Sequence, residues 1–87
     1  MNLNEIESRL LSVLKQAERL LPQSELQGMV ELAQAGEPGV GLENFCTQLF
    51  EYDVAVPVHI LTEIAELGCA MGIQSRYWER LKKGPPS

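Results

Sequence analysis

The sequence predicts an all-α fold, a compact bundle of four to five short helices in a single domain. Apolar residues recur at spacings of three and four along most of the chain. Proline and glycine cut that pattern into pieces of helical length, and no useful stretch alternates with the period of two that a strand requires. The 87 residues suffice for one core and leave no room for a second domain. A composition of 45% hydrophobic and 22% charged residues is that of a globular chain rather than a disordered one.

Leu3, Ile6, Leu10, Val13, Leu14, Ala17 and Leu21 lay one apolar stripe along a first helix, about residues 3–21. Glu5, Arg9, Ser12, Lys15, Gln16 and Arg19 occupy the opposite face, with Glu5 and Arg9 in the favourable i, i+4 order. Pro22 stops this helix. Ser24 is a suitable N-cap for a second one, with Glu25 in its first turn, Leu26, Met29, Val30 and Ala33 inward, and Gly36 as a left-handed terminator. Pro38 then restarts the helix, because proline fits a first turn and the acid Glu37 complements the dipole there.

Stepping about 100° per residue through this third helix, to about Tyr52, turns Leu42, Phe45, Cys46, Leu49 and Tyr52 inward. Glu43, Thr47, Phe50 and Glu51 face out. The β-rich stretch from Tyr52 to Ile60 admits a short extended link. Pro57 opens a fourth helix buried along Ile60, Leu61, Ile64, Leu67, Gly68 and Met71, and Gly72 closes it. Ser75 caps a last short helix carrying Tyr77, Trp78 and Leu81, in which the single Trp closes the core. The domain is expected to span residues 1–81, with residues 82–87 a frayed, disordered tail.

Catalysis fits poorly. The only imidazole, His59, falls in the first turn of helix four and reads as a solvated surface residue. The glycines of "GEPGVG" lack the preceding strand and the Lys-Ser/Thr ending of a phosphate loop. Cys46, Cys69, His59 and the scattered acids form no spaced ligand set, so neither a metal nor another cofactor is expected. Both cysteines read as reduced, mostly buried thiols. The longest apolar run is far short of a membrane span, and the acids Glu5 and Glu7 precede any Arg, unlike a secretory leader; a cytoplasmic protein is expected.

Charge is more informative. The net charge is −5, and residues 20–75 contain no Lys or Arg, yet carry Glu25, Glu31, Glu37, Glu43, Glu51, Asp53, Glu63 and Glu66. Such a surface repels nucleic acid and attracts a basic protein. Glu63 and Glu66 are expected on the exposed side of helix four, with no Lys or Arg to relieve them. Glu51 and Asp53 stand at the negative end of the third helix dipole, where carboxylates are disfavoured, beside the outward Phe50 and the phenol of Tyr52. Local rules broken without local benefit suggest a binding surface. Its expected members are Glu43, Phe50, Glu51, Tyr52, Asp53, Glu63 and Glu66.

The order "GEPGVGLENFCTQLFEYDV" (36–54), "LTEIAELGCAMG" (61–72) and "YWERL" (77–81) resembles the MafI family of immunity proteins, antidotes of polymorphic toxin systems. The likeness covers residues 36–87 and is most specific at Glu51-Tyr52-Asp53, the Leu-Gly-x-x-Met-Gly piece and the Tyr-Trp pair; Gly41 stands where alanine is expected. The resemblance implies a non-enzymatic protein that binds and neutralises a cognate secreted toxin domain, often a nuclease, encoded by the neighbouring gene. The partner would be a basic toxin C-terminal domain, met by a monomer or weak homodimer without direct contact to nucleic acid or membrane. The competing class is a small helical adaptor or regulatory module that packs exposed aromatics against a partner helix.

Overall fold

In a computed structural model, which describes residues 1–85, the apolar stripes form five helices: α1 (Leu3–Gln16), α2 (Gln23–Gln34), α3 (Pro38–Glu51), α4 (Val58–Ala70) and α5 (Arg76–Glu79). Two two-residue strands, β1 (Ala55–Val56) and β2 (Lys82–Lys83), complete it. The fold is all-α, with one small parallel ladder pairing Ala55 with Lys82 and Val56 with Lys83.

Helix α1 is shorter than its stripe. It ends at Gln16, and residues 17–20 form turns in which Glu18 N–H donates to Lys15 O and Leu20 N–H to Ala17 O. Pro22 keeps the helix from running on through Leu21, where its ring disfavours helical dihedrals, while Ala17 and Leu21 still reach the core. Helix α2 begins at Gln23, one residue before the expected cap, and Pro22 itself occupies the N-cap position. At the N-terminus of α1, Asn2 Oδ1 accepts from Glu5 N–H at 2.8 Å, satisfying one of the helix's orphan donors.

The core joins α1 (Leu10, Val13, Leu14), α3 (Leu42, Phe45, Leu49) and α4 (Ile60, Ile64, Leu67), with Leu26 and Met29 of α2 closing one side. Among the described residues no polar or charged side chain is buried. Gly41 is buried where α3 crosses α2; a Cβ there would lie 3.4 Å from Met29 O and 3.5 Å from Leu10 Cδ2, which is ordinary contact. Trp78 lies half-buried over Gly68 of α4 and caps the core from α5, as its position in the sequence predicts.

Two corrections concern the ends of elements. Tyr52 is not inward: it is half exposed, because it is the C-cap residue of α3, where the chain leaves the helical path on which the 100° step depends. Lys82 to Gly84 are not a frayed tail. Lys82 and Lys83 pair with β1, Gly84 N–H donates to Val56 O at 2.7 Å, and a Cβ on Gly84 would come within 2.9 Å of Ala55 O. Only glycine permits that approach. Pro86 and Ser87, the rest of the expected tail, lie outside the described residues.

Candidate protein-binding surface

Helix α3 ends in a left-handed turn. Val54 N–H donates to Leu49 O and Asp53 N–H to Phe50 O, both at 3.0 Å, and Asp53 adopts φ +54°. The same pair of bonds ends α2 around Gly36 (φ +82°) and α4 around Gly72 (φ +70°). Asp53 therefore fills a position that glycine fills in the other two helices. Aspartate tolerates the left-handed region better than most residues, and this role supplies a local reason for an acid at the negative end of a helix. Its carboxylate is also relieved: Lys82 Nζ donates to Asp53 Oδ2 at 2.8 Å, across an exposed corner.

Phe50 and Tyr52 flank that turn, 45% and 50% exposed. The guanidinium of Arg80 lies over the Phe50 ring, 4.1 Å from its centroid. Glu51 between them is exposed and makes no ion pair among the described residues. The corner thus has two aromatic faces rimmed by Glu51, Asp53, Arg80 and Lys82, and it is close to neutral rather than acidic.

Glu63 and Glu66 lie elsewhere, on the α4 side that faces α1. Arg9 donates from Nε to Glu63 Oε2 at 2.8 Å and from Nη2 to Glu63 Oε1 and Glu66 Oε1, both at 2.6 Å. Glu5 adds a longer contact at 4.0 Å. The forked bond from Arg9 holds the Glu63 carboxyl below its ordinary range against the opposing effect of burial, and the two carboxylates raise the guanidinium further above its own. The expectation that nothing relieves Glu63 and Glu66 is therefore corrected, because a cation 54 residues away in sequence does so.

Glu43 takes a third position. It lines a cleft of about 550 Å³ between the start of α3 and the α4–α5 connection, with Val40, Met71, Ile73, Arg76 and Tyr77 among its walls. A second cleft of about 350 Å³ adjoins it, lined by Thr47, Arg76, Tyr77 and Arg80. The seven residues expected to form one acidic surface are divided among these places. Phe50, Glu51, Tyr52 and Asp53 stay together, Glu43 borders a cleft farther along α3, and Glu63 and Glu66 are engaged by Arg9.

Arg9, Arg80 and Lys82 were absent from the sequence-based site, yet they engage Glu63, Glu66, Phe50 and Asp53 of it. Only the i, i+4 spacing of Arg76 and Arg80 offered a signal, placing both on one side of a terminal helix. Of the thiols, Cys46 is buried and its pKa is pushed up to about 12 by burial, which keeps it protonated and unreactive. Cys69 is exposed, correcting the expectation that both are mostly buried; the two are not bonded to each other. His59 is exposed at the start of α4. Among the described residues no three His, Cys, Asp or Glu side chains gather as a metal-binding group, and no helix is long and apolar enough to cross a membrane.

No family model, curated protein or solved structure matches the chain.

Proposed function

We propose that this protein is an antidote of the MafI type, binding and neutralising a cognate secreted toxin domain, and that the α3 corner from Phe50 to Asp53 is the centre of its contact. The observation that carries this reading is the pair of half-exposed aromatics, Phe50 and Tyr52, fixed on a hydrogen-bonded helix end within a charged rim. Aromatic anchors surrounded by polar groups are the usual composition of an interface hot spot. The resemblance of residues 36–54, 61–72 and 77–81 to MafI immunity proteins supplies the role. The acidic field supports a basic partner such as a nuclease: a net charge of −5 acts at long range even where single acids are paired. In this reading Glu43 and Glu51 contribute to steering, whereas Glu63 and Glu66 serve the α1–α4 contact.

The decisive experiment expresses the C-terminal domain encoded by the neighbouring gene, alone and together with this protein. Growth arrest relieved only by co-expression supports the antidote reading; arrest that persists rejects it. Within a confirmed pair, Phe50→Ala combined with Tyr52→Ala is expected to weaken binding by more than about 2 kcal/mol while the circular dichroism stays that of the folded chain. Unchanged affinity would move the contact off this corner.

An apolar cleft of about 460 Å³ between α4 and the C-terminal segment, lined by Val58, Leu61, Ala65, Trp78 and Leu81 among others, favours the adaptor reading as the second choice. Ionic strength separates the two. Association governed by the acidic field slows as salt rises, whereas an apolar side chain entering this cleft responds little.

A further inference from the structure

Arg76, the first residue of α5, and Arg80, its C-cap, are two cations that line one cleft. Arg9 and Lys82 are engaged by carboxylates, whereas Arg76 and Arg80, like Lys15, Arg19 and Lys83, make no ion pair among the described residues. Arg80 rests on an aromatic ring, and Arg76 lies near one at a longer distance. Arg80 lies 4.1 Å from the centroid of Phe50 and Arg76 lies 5.7 Å from that of Tyr77. At the Arg80 distance, stacking engages the face of the guanidinium, leaves its in-plane N–H donors free and holds the group in position before any ligand arrives. Both side chains line the cleft of about 350 Å³, and Thr47 and Tyr77 add hydroxyl groups to the same walls.

We propose that this cleft is a carboxylate-binding site, which receives an Asp or Glu side chain of a partner protein between Arg76 and Arg80. Two forks of donors with neighbouring hydroxyls match a planar oxyanion. A protein partner supplies such an oxyanion as a carboxylate, and inorganic phosphate is the competing occupant that the test separates from it. The cleft also shares Arg80 with the aromatic corner, so a partner seated on Phe50 would carry its acid within reach. The site rests on the protein-binding reading only for the source of the carboxylate. A toxin that fails to bind leaves the cleft's own affinity untouched, and an inert cleft leaves the co-expression result untouched.

The test uses the full chain labelled with ¹⁵N and follows the arginine Nε–H signals and the Thr47 and Tyr77 amides during titration with a blocked tetraglutamate peptide. A blocked tetraglutamine peptide and inorganic phosphate form the other arms. Saturable shifts at Arg76, Arg80, Thr47 and Tyr77 are expected with tetraglutamate and none with tetraglutamine. Affinity should fall by about tenfold or more in the Arg76→Gln/Arg80→Gln variant, the loss of charge-assisted bonds. Arg76→Lys, which keeps the charge and loses the fork, should also weaken binding and guards against a double variant that fails to fold. Lys15→Gln with Arg19→Gln, an equal change of charge away from the cleft, should leave the affinity within about twofold. Shifts that never saturate, an equal loss in the Lys15→Gln/Arg19→Gln variant, or phosphate saturating the same signals at lower concentration than the peptide would each overturn the proposal.

Discussion

Trp78 lies directly against the backbone of Gly68: a Cβ at Gly68 would stand 2.5 Å from Trp78 Cη2 and 3.0 Å from its Cε3. The indole cannot keep its place over any larger residue. Gly68→Ala is therefore expected to destabilise the fold by about 1–3 kcal/mol, overpacking exceeding the gain in helix propensity. Urea denaturation followed by the fluorescence of this single Trp reads both effects, and the emission of the folded variant should shift to the red as the ring is lifted. An alanine variant as stable as the parent, with unshifted emission, would mean that Trp78 does not close the core here.

Gly41 is expected to respond in the opposite sense. It too is buried inside a helix, but its nearest neighbours would be at 3.4 Å and beyond from an added Cβ, so a methyl group fits. Gly41→Ala should stabilise the protein by about 0.5–1 kcal/mol through the conformational freedom that glycine loses on folding. A lower urea midpoint would show that α2 and α3 are packed more tightly than these distances imply.

The inward stripes of α1, α3 and α4 were legible because burial in a helix leaves a period in the sequence, and Leu10, Phe45, Ile64 and Leu67 sit where that period puts them. The same period places Cys69 away from the stripe of Ile60, Ile64 and Leu67, so its exposure could have been read from the spacing. Other features leave no periodic trace. A two-residue pairing such as Lys82–Lys83 with Ala55–Val56 is too short to alternate, and Leu20 and Leu21 prolong an apolar stripe past Gln16, where the helix ends. The ion pairs were least accessible. An acidic run between residues 20 and 75 looks unrelieved until the fold brings Arg9 and Lys82 back upon it, which separates the aromatic corner from the carboxylates of α4.

Asp53 illustrates how a residue can serve structure less well than an available substitute. At φ +54° its Cβ is strained, and its compensating bond to Lys82 is mostly in solvent, where such pairs contribute little. Asp53→Gly should raise stability by about 0.5–1 kcal/mol, and Asp53→Val should lower it by about 1–2 kcal/mol because a β-branched side chain fits the left-handed region worst. Thermal or urea unfolding checks both. A glycine variant less stable than the parent would transfer the weight of the corner from the turn to the Asp53–Lys82 pair.

The bond between Arg9 and Glu63 ties α1 to α4 and fixes how the fold responds to acid. The ordinary carboxyl value is 4.5 and that of Glu63 in the folded protein is lower, with its bonds to Arg9 as the largest cause. The pair therefore contributes in full above pH 4.5, and its contribution disappears as pH falls through the depressed folded value. Glu63→Gln should lower stability near pH 7 by up to about 1 kcal/mol, the upper end for an ion pair still partly in water because the guanidinium makes a forked bond. Urea midpoints of parent and variant should converge as pH falls below 4.5, since protonation removes from the parent what substitution has already removed from the variant. High salt should narrow the gap at neutral pH as well. Midpoints that run parallel through the acid range would mean that Arg9 does not hold Glu63 in solution, and would return Glu63 and Glu66 to the free acidic surface from which this bond withdraws them.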